Sequence, residues 1–114
     1  MNYPDAYSQL ISERGIPMME AFGTDDVALA ADDAISAAQT LLRGEFAILG
    51  GDVFYKTPQG FELAYANWDC RPKVGEKTDA FVTRSIHETC DYIRRFSSPP
   101  EKTALFALVI SQVF

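Results

Sequence analysis

The sequence predicts an α+β domain: a small, mainly antiparallel sheet, made of a hairpin and a buried C-terminal strand, packed with about three helices. Three observations predict it. Apolar residues recur at helical spacing in residues 4–14, 24–42 and 78–96. Between residues 46 and 68 the period changes to two, around a turn at Thr57-Pro58-Gln59-Gly60. The last segment, Ala104 to Val113, is almost uninterruptedly apolar, as in a central strand covered on both faces. The order helix, helix, hairpin, helix, strand suits helices layered on one sheet.

The first helix is expected over residues 4–14, with Pro4 at the first helical position and Gly15 at the end. Tyr3, Tyr7, Leu10 and Ile11 give its apolar spacing. Ile16 to Phe22 is an apolar connector with room for a further helical turn. The second helix is expected from an N-cap at Thr24, with Asp25 and Asp26 in the first turn at the positive end of the helix dipole. Val27, Ala31, Ala34, Ile35, Ala38, Leu41 and Leu42 would lie on its inner side, and Arg43-Gly44 marks the stop. Phe46 to Leu49 and Val53 to Thr57 are rich in strand formers. Pro58 takes the second position of the turn, and Phe61 to Trp68 returns as the partner strand. There, Leu63, Tyr65 and Asn67 face one way and Ala64, Ala66 and Trp68 the other. Asp69 to Lys77 reads as a polar loop. The third helix runs from an N-cap at Thr78 to Phe96, with Phe81, Val82, Ile86, Cys90 and Ile93 inward. It is ended by Ser97-Ser98-Pro99-Pro100.

At 114 residues, 47% hydrophobic and 23% charged, the chain has the composition of one globular domain, residues 1–114. No apolar run reaches the roughly 20 residues that span a bilayer. The start, Met1-Asn2-Tyr3-Pro4-Asp5, shows no basic segment followed by an apolar one, so a cytoplasmic location is expected. The formal charge is −6 and the ten basic residues are scattered, which disfavours nucleic acid and anionic membranes as partners. An acidic surface suits a partner with a basic one. Cys70 and Cys90 form no metal-type or redox-type spacing and read as free thiols, Cys90 buried.

No catalytic, cofactor-binding or metal constellation is recognisable, and the chain is not expected to be an enzyme. The single histidine, His87, falls on the polar side of the third helix near Thr83 and Asp91, away from Ser85 and Cys90, so no nucleophile is in its reach. Gly50-Gly51-Asp52 interrupts a strand. Its glycines permit a bulge, and Asp52 either binds freed backbone N–H groups or presents a carboxylate to a partner. Trp68, between Asn67 and Asp69, is either a binding anchor or a core cap, and Tyr65, on the opposite strand face, is expected to be packed. The outer side of the second helix would gather Asp25, Asp26, Asp32 and Asp33 within roughly 120°, around an exposed Leu29. These eight positions, Asp52, Trp68 and Asp69 with the five on the helix, are the candidate partner-binding residues.

Taken together, three stretches resemble immunity protein family 40 of bacterial polymorphic toxin systems. Ala47-Ile48-Leu49-Gly50-Gly51-Asp52-Val53-Phe54-Tyr55 looks like that family's LGGDVY stretch, and Tyr65-Ala66-Asn67-Trp68 looks like its Y-x-N-W. Ser85-Ile86 with Asp91-Tyr92-Ile93 is similar to its S-x-x-x-A-x-x-Y-I helix, with Thr89-Cys90 where small apolar residues are usual. The apolar last strand also fits, and the likeness runs in order over roughly residues 30–113. It implies a cytoplasmic protein that binds and neutralises a cognate toxin, with no cofactor and no assigned functional residues to carry over. The alternative reading is a small-ligand-binding or regulatory α+β domain. The sequence leaves the oligomeric state open.

Overall fold

The computed structural model describes residues 3–113; Met1 and Asn2, part of the start read above, lie outside them. α1 (Asp5–Arg14) has the expected extent, with Pro4 as its N-cap rather than its first helical residue. The apolar connector divides into a short β1 (Ile16–Pro17) and a single helical turn, α2 (Met19–Phe22).

The helix expected from Thr24 is corrected. Val27–Ala30 is a strand, β2, and the helix α3 spans only Ala31–Gln39. Alanine-rich sequence favours helix locally, but Ala28 and Leu29 are neighbours and both fully buried. They are buried in different clusters, Leu29 with the helices and Ala28 with Met18 and Phe54. Only an extended chain turns adjacent side chains to opposite faces. The strand also gives hydrogen-bond partners to one edge of the C-terminal strand, which would otherwise be buried unpaired.

β3 (Phe46–Thr57) and β4 (Gly60–Asp69) form the expected hairpin. Thr57 Oγ1 closes its turn by donating to the Gly60 carbonyl at 3.1 Å and accepting from the Gln59 N–H at 3.2 Å. α4 (Thr78–Arg95) has the expected length but takes Lys77, not Thr78, as its N-cap. Asp79 in its first turn and Arg94 and Arg95 in its last match the helix dipole. β5 (Thr103–Gln112) is the central strand of a five-stranded sheet of order β1-β2-β5-β3-β4, all neighbours antiparallel. The fold is α+β as expected, with five strands where a hairpin and one strand were read, and four helices among the described residues.

α1, α3 and α4 lie on one face of this sheet. Leu29, Ala34, Ala38, Leu41, Ile48, Val82, Ile86 and Phe106 make up the centre of the core there. The other face is covered only in part: Met18 and Phe22 pack over Ala28, Phe54, Leu105 and Ala107, with the Phe22 and Phe54 rings stacked at 5.2 Å. The thiols of Cys70 and Cys90 are both free and buried. Burial pushes both pKa values up, Cys70 to about 11.

Two polar devices fasten α4. Ser85, fully buried, accepts the Ile48 N–H at 3.0 Å and donates to the Val82 carbonyl at 2.8 Å. The β3–β4 ladder ends at Gly50–Asp69, so the hydroxyl serves a backbone donor that β4 does not reach. Ser85→Ala strands that buried N–H and is expected to cost about 1–3 kcal/mol. The check is a lower urea midpoint at an unchanged m-value.

The second device is Arg84, which bonds Glu76 at 2.7 and 2.8 Å, Glu88 at 2.6 Å and the Arg71 carbonyl at 2.6 Å. It ties the polar loop to the helix. The Arg84 guanidinium, by its hydrogen bonds, holds the Glu76 carboxyl down at about 2, against an ordinary 4.5. A depressed carboxyl stabilises the fold above its unfolded pKa and stops doing so as pH falls through its folded one. The melting-temperature gap between the native chain and Glu76→Gln should therefore be full at pH 7 and close between about pH 4.5 and 2. A gap that persists at pH 2 would trace to packing instead.

Candidate functional site

The strand register brings the two hairpin motifs together. Gly50 stands opposite Asp69, Gly51 opposite Trp68 and Asp52 opposite Asn67. Gly50 has φ +145°, a region glycine occupies at little cost, and sits where β3 slips by one residue against β5. Gly51 makes the floor for an indole. A Cβ there would collide with the Trp68 ring and with the Ala107 carbonyl oxygen. The indole continues inward: it stacks on Tyr92 at 4.7 Å and donates from Nε1 to the buried Thr89 Oγ1 at 3.0 Å. The motif residues Gly51, Trp68, Ser85 and Tyr92 are thus parts of one packed unit between hairpin and α4. Of the two readings of Trp68, the geometry is that of a core cap.

The opposite face of the hairpin carries the exposed chemistry. Ala28, Ala107, Asp52 and Asn67 form one row across the sheet, each opposite the next. Opposite residues share a face. In the neighbouring row Val109, 43% exposed, stands opposite Gly50 and Gly50 opposite Asp69. Asp52 is half-buried, and its carboxyl is raised first by that burial and then by the charge of Asp26. Both line a depression of about 310 Å³, walled by Phe54, Leu63 and Tyr65 and including Thr24 and Asn67.

Tyr65, expected to pack, is 91% exposed. The expected alternation is right in placing it opposite to Trp68; what differs is that α2, packed over Phe54 and Leu105 on that face, leaves Tyr65 uncovered. Val53 pairs with Ala66 and Phe54 with Leu63, so Ala64 and Tyr65 are extra residues in β4, and Tyr65 has φ +54°. Leu49, Leu63 and Val109 are likewise exposed. Sequence reasoning passed over all four, because alternation reports which side a residue takes and not whether anything covers that side.

The other candidates disperse. Leu29, read as exposed, is fully buried against Phe106, its pair in β5, because β2 replaces the helix that would have turned it outward. For the same reason the aspartates do not share one helix face. Asp25 and Asp26 precede β2, while Asp32 and Asp33 occupy the first turn of α3, where the dipole accounts for them. Asp25 is exposed beside a groove that also includes Tyr3 and Tyr7. Asp69 is exposed and paired with Arg71 at 3.1 Å.

A wider concavity, about 1090 Å³, runs along the outer side of α4 and includes His87, Arg84, Glu88 and Asp91. Asp52 lines a different cavity from His87, and Ser85 and Cys90 are buried. Among the described residues no three His, Cys, Asp or Glu side chains are placed to hold a metal ion, and no helix is long and apolar enough to cross a membrane.

This is an open-faced α+β sandwich, with a helical layer on one side of the sheet and an acidic, aromatic surface on much of the other. Residues 18–110 match the family described as Immunity protein 40, and the chain belongs to that family. No curated protein and no solved structure gives a significant match.

Proposed function

We propose that the chain neutralises a cognate toxin in the cytoplasm of the producing cell by stoichiometric binding, with no cofactor and no reaction of its own. Membership of the Immunity protein 40 family carries this reading. The net charge of −6 supports a toxin with a basic surface, since opposite potentials speed encounter and fix orientation. Of the candidate contacts, Asp26, Asp52 and Asp69 remain the best placed, beside the part of the sheet face that α2 leaves open. Asp25 lies near it. Asp32 and Asp33 belong to α3, on the helical layer. The groove along α4 lends less to the alternative of a small-ligand site, because Arg84 there is already bonded to Glu76 and Glu88.

The deciding experiment is co-expression with the product of the adjacent upstream gene. Rescue of a toxic phenotype together with a co-purifying complex is the expected result. No toxicity and no complex would overturn the proposal.

A further inference from the structure

The sheet face opposite the helical layer is only half covered, and its open half holds two carboxylates that the fold does not use. Among the described residues neither the Asp26 nor the Asp52 side chain takes part in an ion pair or a hydrogen bond. They line one depression, and no Lys or Arg lines it with them. Several acidic groups elsewhere are matched, Glu76 and Glu88 by Arg84, Glu62 by Lys102 and Asp69 by Arg71. Half-burial of a like-charged pair costs stability. A third group in the depression is also unsatisfied. Thr24 lines it, and the Thr24 Oγ1 is shut off from solvent with no hydrogen-bond partner. The walls are apolar and aromatic, Phe54, Leu63 and the projecting Tyr65, and the volume of about 310 Å³ is at the low end for a small-molecule site.

We infer that this depression is the anchor pocket for one cationic side chain of the toxin, a lysine or an arginine, whose N–H groups bond Asp26 and Asp52 while Tyr65 and Leu63 flank its stem. Charge complementarity selects the occupant. An ammonium or guanidinium has donors for both carboxylates and no acceptor of its own, and an aromatic ring beside it is a favourable neighbour. An anionic or a neutral apolar group would leave the two carboxylates unmatched. The inference rests on the proposed toxin partner, and the pocket itself is testable without one.

On the chain alone, the probe is N-acetyl-arginine amide, titrated while the NMR signals of Asp52, Asn67 and Tyr65 are followed. Selective, saturable shifts at these residues are expected in the native chain and absent from Asp26→Asn/Asp52→Asn. Absence of selective shifts in the native chain overturns the pocket, whatever the toxin does. With the toxin, the double variant is expected to bind roughly thirtyfold or more weakly, with a shallower salt dependence. Its melting temperature should stay level or rise, because two repelling charges are gone; a purely structural role would lower it. Asp32→Asn/Asp33→Asn, on the helical layer, should bind as the native chain does. Toxin affinity unchanged in the Asp26/Asp52 variant overturns the inference and leaves the proposed function standing. A native chain that takes up the arginine probe and binds no toxin overturns both.

Discussion

Gly51→Ala should be among the most damaging single substitutions in this chain, costing about 3 kcal/mol or more. The added methyl would meet the Trp68 indole on one side and the Ala107 carbonyl oxygen on the other. Overpacking a closed site costs typically about 1–3 kcal/mol, and here one of the two obstacles is backbone in the central strand, which cannot rotate away. The measurement is a urea or thermal unfolding midpoint. A cycle with Trp68→Leu divides the two obstacles: part of the penalty should vanish in that background and the part due to Ala107 should remain. If Gly51→Ala costs the same with and without the indole, the ring is not what requires glycine there.

Trp68→Ala should be of comparable size, about 3–5 kcal/mol, the usual range for truncating a packed aromatic. The change removes the stack on Tyr92 at 4.7 Å and the edge contact with Phe106 at 6.3 Å. It also takes away the N–H that Thr89 Oγ1 accepts at 3.0 Å. Trp68→Phe keeps most of the ring contact and drops only the hydrogen bond, so about 1 kcal/mol is expected. The pair separates the two readings of this residue. A core cap loses stability in this graded way, with little change in the folded chain's affinity for the proposed toxin well below its melting temperature. A partner anchor would do the reverse, losing affinity while the melting temperature held.

The sequence was most readable where one element carries its own period over a long stretch. α4 shows its inner side from Phe81 to Ile93 because eighteen residues sample the helical repeat several times. The hairpin shows itself through alternation around a turn whose residues have fixed preferences, and β5 through a continuous apolar run. β2 failed on the same criterion. Four residues, Val27–Ala30, are too few to display a period of two, and alanine on either side favours the helix. What made them a strand is remote: β5 needed a second neighbour.

The candidate site was legible in pieces. Asp26 and Asp52 were both singled out, yet nothing in one sequence places them in the same depression. Their proximity depends on a register that runs through β2, β5 and β3. The projecting Tyr65 could not be read at all, since it depends on an excess of two residues in one strand against its partner.

That excess has a bearing on how the molecule behaves in a crowded cell before it meets any partner. β4 is the long outer strand of the sheet; the outer strand at the far side, β1, is two residues including Pro17. An outer strand is a template on which other chains polymerise. The irregularity at Ala64 and Tyr65 spoils the even spacing of backbone donors and acceptors midway along β4, so an incoming straight strand finds a short matching run on either side and nothing continuous. The same kink that holds an aromatic ring out to solvent thereby guards against fibre formation. The open sheet face can then stay uncovered without the neighbouring edge recruiting further strands.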